Sequence, residues 1–264
     1  MVDFVPLEQL VPDNKLKLVD EAEKYNEVYT KVKVRRQTCQ YLTKSRRTLW
    51  QAVGIEYIEP EMLDYIDSHK AGSIFYDVGA SNGLFSIYAA QCGLSVFSFE
   101  PEVQNFSLLS GNAYLNKNVL NPIKCFNIAL GDSTSLNNMF ISKYEAGGHM
   151  KILGQPLKVG DTQLFSPDFV QNVIAYSLDD FIRLFNLPIP NHIKIDVDGS
   201  ETQVLNGAEM VLSSKALETV FIELETNNNN TLSIIQKLTD SGFKIQTKTQ
   251  VQNYQGLFNY VFRR

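Results

Sequence analysis

Residues 75–83 read Phe75-Tyr-Asp77-Val-Gly79-Ala80-Ser81-Asn82-Gly83 and join a buried apolar run to an amphipathic one. Glycine is needed where the backbone takes a positive φ or must approach another group closely, and the start of a helix supplies unpaired N–H groups. Such a turn can cradle a polar ligand. Its spacing is D-x-G-x-x-x-G with serine at 81, so it lacks the third glycine of a dinucleotide cradle and fits a pyrophosphate poorly. A cofactor without phosphates, its zwitterionic amino acid end held by amides and carbonyls, suits it better. Glu100 follows the next apolar run, 96–99. It stands at the separation, about 20 residues, expected of a carboxylate that accepts hydrogen bonds from both hydroxyls of a ribose. Turn and acid together predict a nucleoside site that would fit an adenosine.

A second set of charges lies at 193–201, Ile193-Lys194-Ile-Asp196-Val-Asp198-Gly199-Ser200-Glu201. Alternation places Lys194, Asp196 and Asp198 on one side of a strand that breaks at Gly199. Asp196 then emerges at the same crevice as Gly79 and could take a proton from a substrate hydroxyl or hold an ammonium group. Asp198 and Ser200 read as caps of the following helix, with Glu201 in its first turn. Asp196, Asp198, Glu201, Glu223 and Glu225 could converge as hard oxygen ligands, but they follow no calcium or magnesium loop spacing, so a divalent metal is not expected. His149 lies in Gly147-Gly-His-Met and is a candidate general base in a loop folded over the substrate, against the plainer reading of a surface imidazole. His69 reads as closing a helix and His192 as preceding a strand.

The elements that must position these groups show a strand-helix rhythm from residue 73 onward. Apolar runs at 73–78, 95–99, 123–129, 192–197 and 219–225 alternate with helical segments at 84–92, 103–116, 177–186, 203–213 and 232–240. βαβ crossovers impose a parallel sheet covered on both faces. The end, 243–247 and 256–262, reads as an antiparallel edge hairpin. Residues 13–50 lack Gly and Pro and read as helical, with Leu16, Val19 and Ala22 as a buried stripe, and a helix follows at 60–68 with Met62, Leu63 and Ile66 inward. A short strand fits 136–142; residues 143–172, rich in Gly and Pro, read as an irregular, functional insertion.

The ordered set Asp77–Gly83, Phe99-Glu-Pro101, Asn127-Ile-Ala-Leu-Gly-Asp132, Ser177-Leu-Asp-Asp-Phe181, 193–201 and Phe221-Ile-Glu-Leu-Glu225 resembles the FkbM family of S-adenosylmethionine-dependent methyltransferases over about residues 73–225. The resemblance implies an α/β fold with a Rossmann-like, seven-stranded, mostly parallel sheet and a reversed C-terminal strand. The methyltransferase domain would span 71–264, behind an N-terminal helical extension of residues 1–70 that either dimerises the chain or covers the substrate. It further implies methyl transfer to an oxygen of a sugar, a glycan or a small natural product. Carried over, Gly79, Ala80, Ser81, Asn82 and Gly83 hold the methionine part, Glu100 with Pro101 the ribose, and Ile128 and Ala129 flank the adenine. Asp77 acts through an ordered water or by bracing the turn. Asp198 stands where the family usually has Glu, and Ser81 sits in a turn often written G-A-N-x-G, which puts details of the site in question.

Composition bounds the rest. With 44% hydrophobic and 20% charged residues, a chain of 264 can bury a sizeable core. Three widely spaced cysteines make neither a disulfide framework nor a metal site, which points to a reducing cytosol. No apolar run reaches the roughly 20 residues of a membrane helix, and the start lacks the order of a signal peptide. The net charge of −5 divides into +3 for residues 1–50 and −8 beyond. An acidic body argues against a nucleic-acid groove, and the basic run between Lys31 and Arg47 reads as a solvated arm rather than an anion patch. The rivals are a nucleoside-binding partner subunit without catalysis, a nicotinamide oxidoreductase, which the missing glycine disfavours, and a methyltransferase for macromolecules. Asn-Pro-Pro-Tyr is absent at the fourth strand, which disfavours transfer to a base amine.

Overall fold

A computed structural model describes residues 12–26, 28–148, 150–156, 164–226, 230–252 and 254–264. The first elements are α1 (Asp13–Asn26), β1 (Tyr29–Val34), β2 (Gln37–Leu42), α2 (Arg46–Ile58) and α3 (Pro60–Asp67). The alternating core follows with β3 (Ile74–Val78), α4 (Leu84–Gln91), β4 (Ser95–Phe99), α5 (Val103–Leu115) and β5 (Lys124–Phe126). After β6 (Ala129–Gly131), β7 (Ser135–Ile141), β8 (Lys151–Leu153) and β9 (Phe169–Ser177), it resumes with α6 (Leu178–Phe185), β10 (His192–Ile195), α7 (Glu201–Asn206), α8 (Glu209–Ser213), β11 (Thr219–Glu225), α9 (Thr231–Asp240), β12 (Lys244–Gln250) and β13 (Leu257–Arg263).

Seven strands form the main sheet in the order β12-β13-β11-β10-β3-β4-β5. β11, β10, β3, β4 and β5 run parallel, and β13 is antiparallel to β11. This is the expected Rossmann-like sheet with a reversed last strand, closed by the β12–β13 hairpin. Successive residues point to opposite faces, so Tyr76, Phe97, Val220 and Phe262 fill one core and Phe75, Val96, Phe221 and Val261 the other. Val34, Cys39, Tyr41, Ala52, Ile55, Met62, Leu63 and Ile66 of the extension belong to that second core and cover one face of the sheet.

Four expectations need correction. Residues 29–42 are an antiparallel hairpin, not helix, with Tyr29 opposite Leu42 and Val34 opposite Gln37. Val32 and Val34 alternate with lysines, and this period of two, turned at Arg35 (φ 51°), prevails over helix-forming composition. The stripe on α1 is not buried: Val19 is 48% exposed and Ala22 is exposed. The 143–172 segment is partly regular, because β8 and the start of β9 join β7 and β6 in a four-stranded sheet of order β6-β9-β7-β8. Only Val173, Ala175 and Ser177 of β9 are buried, which weakens its apolar signal. The helix expected across 203–213 breaks into α7 and α8 at Gly207, where a Cβ would stand 2.0 Å from the Gly131 carbonyl oxygen. Among the described residues no helix is long and apolar enough to cross a membrane.

Candidate functional site

The carboxyl ends of β3, β4 and β10 meet at one crevice, where the Gly79–Gly83 turn, Glu100 and Asp196 come together. Gly79 (φ 79°) and Gly83 (φ 79°) are left-handed, and a Cβ on Gly79 would lie 1.8 Å from the Asp196 carbonyl oxygen. Gly79 is therefore glycine because the end of β10 presses on it. The amides of Gly79 and Ala80 both donate to the Phe99 carbonyl at 3.0 Å, and that of Gly83 to Ala80 at 2.8 Å. The Ser81 amide donates to Glu100 Oε2 at 2.8 Å. Four of the five turn amides thus brace the turn, where sequence reasoning had offered amides and carbonyls to a ligand.

Glu100 is 6% exposed, and its Oε1 accepts the Glu102 amide at 2.9 Å. Each oxygen takes one amide, and a carboxylate has about four acceptor sites, so acceptor capacity remains. Burial pushes its pKa up to about 7, the two backbone amides and Lys151 pulling the other way. A buried acid short of donors fits a vicinal diol. Asn127 holds this corner, its Nδ2 donating to the carbonyls of Glu100 (2.9 Å) and Pro101 (3.0 Å). Ala129 is buried at the start of β6 and Ile128 is half-buried against the core beside it.

Asp77 is 1% exposed and braces the turn from beneath: Ser86 Oγ donates to its Oδ2 at 2.5 Å, and Lys194 Nζ lies 3.3 Å from Oδ1. Lys194 also donates to the Gly79 carbonyl (3.1 Å) and pairs with Asp196 (3.2 Å). Burial alone would lower the lysine's pKa, but Asp196, Asp77 and Glu59 together hold it above the ordinary value. The Asp196 side chain is 33% exposed. Around it, Glu59 and Glu223 are pushed well above the carboxylate range, first by burial and then by the Asp196 charge.

The expected caps at 198–200 are not formed. Asp198 Oδ2 accepts the Lys151 amide at 3.1 Å, and Ser200 makes no side-chain cap bond. Glu201 instead braces the loop before the helix, its buried carboxyl folding back to accept the Gly199 amide at 3.1 Å and the Val197 amide at 3.4 Å. β10 ends at Ile195, so both Asp196 and Asp198 lie beyond its alternation; Asp196 still meets Lys194, at 3.2 Å, whereas Asp198 turns to the Lys151 amide. Among the described residues no three His, Cys, Asp or Glu side chains converge as a metal site. His149 lies outside the described residues.

Sequence reasoning assigned no role to the groups that wall the crevice. Gln51 of α2 accepts from Asn82 Nδ2 at 2.9 Å and donates to the Gly147 carbonyl at 3.1 Å. Arg47 Nε donates to the same carbonyl at 2.6 Å. Asn105 accepts the Gly147 amide (2.8 Å) and donates to the Gly148 carbonyl (3.2 Å). Lys151 is ion-paired at 2.5 Å with Glu102, both buried, and Glu102 also caps α5 through the Gln104 and Asn105 amides. Only Glu102 carried a local signal, an acid just before a helix. A separate cavity, of about 440 Å3, is lined by Arg35, Ile66, Asp67, His69, Tyr88 and Cys92. It lies toward the amino ends of the strands, where His69 stacks at 3.5 Å on His192, the first residue of β10. Burial first pushes both imidazoles down, to about 3 and about 4, so both are neutral at pH 7.

Residues 77–245 match the family model described as the methyltransferase FkbM domain, more than half of the chain. The chain is 22% identical over 176 residues to the hexuronic acid methyltransferase AglP of Haloferax volcanii, covering 66% of each protein. It therefore spans about two thirds of the length of that relative. Among solved structures it is similar to magnesium protoporphyrin IX methyltransferase from Synechocystis with bound SAM, at 11% identity and a TM-score of 0.50 over 96% of this chain and 98% of that one. It is also similar to an FkbM methyltransferase from Methylobacillus flagellatus, at 18% identity and a TM-score of 0.49 over 72% of this chain and 43% of that one.

Proposed function

The chain belongs to the FkbM methyltransferase family, and we propose that it transfers a methyl group from S-adenosylmethionine to a hydroxyl oxygen of a sugar or sugar acid. The observation that carries this reading is Glu100, a buried carboxylate short of donors, bonded to the Gly79–Gly83 turn through the Ser81 amide. Glu100 would hold the ribose, Ile128 and Ala129 the base, and the turn with Asn82 the methionine end. The hexuronic acid methyltransferase among the relatives supports a sugar as acceptor. Residues 71–264 would carry the transfer domain, with the hairpin and helices of 29–67 packed on it. Three unpaired cysteines support a reducing compartment.

When bound, the cofactor supplies a methyl group already activated on a sulfonium, so the chain's own residues must align the acceptor, exclude water and take one proton. Asp196 is the carboxylate placed for the proton. Its neighbours Glu59 and Glu223 are pushed well above the carboxylate range, first by burial and then by the Asp196 charge, so they hold their protons, while Asp196 is the more exposed of the three and pairs with Lys194. The wall formed by Gln51, Asn105 and the Gly147 loop would shield the Asn82 side of the turn from water.

Calorimetric titration with S-adenosylhomocysteine and with NAD tests the cofactor, and transfer of labelled methyl to a panel of neutral sugars and uronic acids tests the acceptor. Binding of NAD alone would overturn the cofactor assignment. Transfer confined to protein or nucleic acid, with affinity falling steeply with salt, would overturn the acceptor.

A further inference from the structure

One face of α2 is not used by the core or the cleft. Arg46, Trp50, Val53 and Tyr57 stand on it at i, i+4, i+7 and i+11, and all are exposed, Trp50 by 61% and Tyr57 by 76%. At 100° per residue the four fall within an arc of about 60°. The next face round carries Arg47 and Gln51, begins about 60° from Trp50, and is the one that holds the Gly147 loop and Asn82 of the turn. The aromatic stripe is therefore the rim of the cleft wall.

Its chemistry is specific. An indole ring offers a flat apolar surface, which a pyranose can cover with its C–H face, and its large area makes full exposure unfavourable. Arg46 is one turn from it, with the Cβ atoms about 5–6 Å apart, and its planar guanidinium matches a carboxylate. Arg46 lies in the basic run between Lys31 and Arg47; Arg35 and Arg47 of that run are ion-paired within the chain, but Lys31, Lys33, Arg36, Lys44 and Arg46 are exposed, while residues 51–264 carry −8, so an anionic ligand reaching this chain is steered to this end. We propose that Arg46, Trp50 and Tyr57 form the acceptor subsite and that it takes a sugar bearing a carboxylate, the ring on Trp50 and the carboxylate on Arg46. This rests on the reading of the chain as a sugar O-methyltransferase.

Trp50 is the chain's only tryptophan, so emission excited at the red edge of the indole band, where the 12 tyrosines do not absorb, reads this subsite. The full chain, saturated with S-adenosylhomocysteine, is titrated with a glucuronic-acid-terminated oligosaccharide and with its glucose-terminated counterpart. A saturable change in Trp50 emission is expected with the acidic sugar at lower concentration than with the neutral one. Arg46→Gln should weaken the acidic sugar about 10- to 100-fold, the worth of a charged hydrogen bond, and leave the neutral sugar unchanged. By calorimetry, Trp50→Phe should keep sugar binding and Trp50→Ala should lose it. Emission unmoved by either sugar, or emission that follows protein concentration or anionic phospholipid vesicles instead, overturns the subsite. Calorimetry with S-adenosylhomocysteine separates the two readings. Cofactor binding and methyl transfer without a Trp50 response sink the subsite alone, whereas no cofactor binding sinks the enzyme assignment and the subsite with it.

Discussion

Gly79→Ala isolates the contact that joins the cofactor turn to β10. Two terms act at this position. An L-residue at φ 79° is in the left-handed region, at about 1–2 kcal/mol, partly offset by the lower unfolded-state entropy of alanine, about 0.4–1 kcal/mol. The second term is steric: the new Cβ would stand 1.8 Å from the Asp196 carbonyl oxygen and 2.8 Å from its carbon, both backbone atoms that no rotamer change can move. The turn and β10 must part, disturbing the Asp196 amide bond to Val78 (3.1 Å), at a further overpacking cost of about 1–3 kcal/mol. Gly242→Ala is the control, because Gly242 is also left-handed (φ 91°) but has nothing within 4 Å of its Cβ position. With a urea m-value of about 3 kcal/mol/M, the Gly79→Ala midpoint should fall by about 0.3–1.5 M and the Gly242→Ala midpoint by about 0.3–1 M less than that, since only the steric term separates them. Binding of S-adenosylhomocysteine, measured by calorimetry, should weaken in the first variant only. Equal midpoint shifts in the two variants would refute the close approach.

Glu100 has a folded pKa of about 7 against 4.5 when free, so the stability it contributes is fully present below pH 4.5 and lost as pH rises through 7. That is about 3 kcal/mol, and Glu100→Gln should flatten this part of the pH profile of the urea midpoint. If ribose hydroxyls bond to the ionised form, affinity for S-adenosylhomocysteine should fall by up to about tenfold per pH unit below 7, and a flat titration series would contradict it. Lys151→Met leaves Glu102 buried without its cation and should cost about 3–5 kcal/mol in urea unfolding, most of it regained in the double variant Lys151→Met/Glu102→Gln. If the sulfonium of S-adenosylmethionine sits beside Glu59 and Glu223, which hold their protons in the free chain, S-adenosylmethionine should release more protons on binding than S-adenosylhomocysteine does. Calorimetry in buffers of different ionisation enthalpy reads the difference, and equal release would place the sulfonium away from those acids.

The alternating part of the fold was legible because each strand and helix there carries its own period. Thr219–Glu225 and Pro60–Asp67 are segments whose local pattern, packing and termini agree. The hairpin at 29–42 was hidden because its apolar positions are few and its composition suits a helix. The glycine turn and Glu100 were legible as a pair, since both lie next to a strand end and their spacing is fixed by one βα unit. What the turn amides do was not, because Phe99 supplies the competing acceptor from the neighbouring strand. The wall of the crevice was illegible for a deeper reason: Gln51 meets Asn82 across 31 residues and Lys151 meets Glu102 across 49, and no periodicity encodes a contact made only when the sheet has closed.

The acids that looked alike in sequence divide by position once the sheet is formed. Asp77 lies under the turn, where Lys194 and Ser86 hold it, and its part is to keep β3, α4 and β10 in register. Glu100 is next to the turn, bonded to two amides and desolvated, which poises its charge near neutrality and makes a donor-rich ligand the natural relief. Asp196 is partly open and shares Lys194, while Glu59, from the extension, and Glu223, from β11, are held protonated around it. A single lysine cannot balance every carboxylate in the crevice, so the rest must protonate or meet a cation. The extension thus has an electrostatic part in the site through Glu59 and a steric one through Gln51 and Arg47, even though its residues lie outside the region the family model matches.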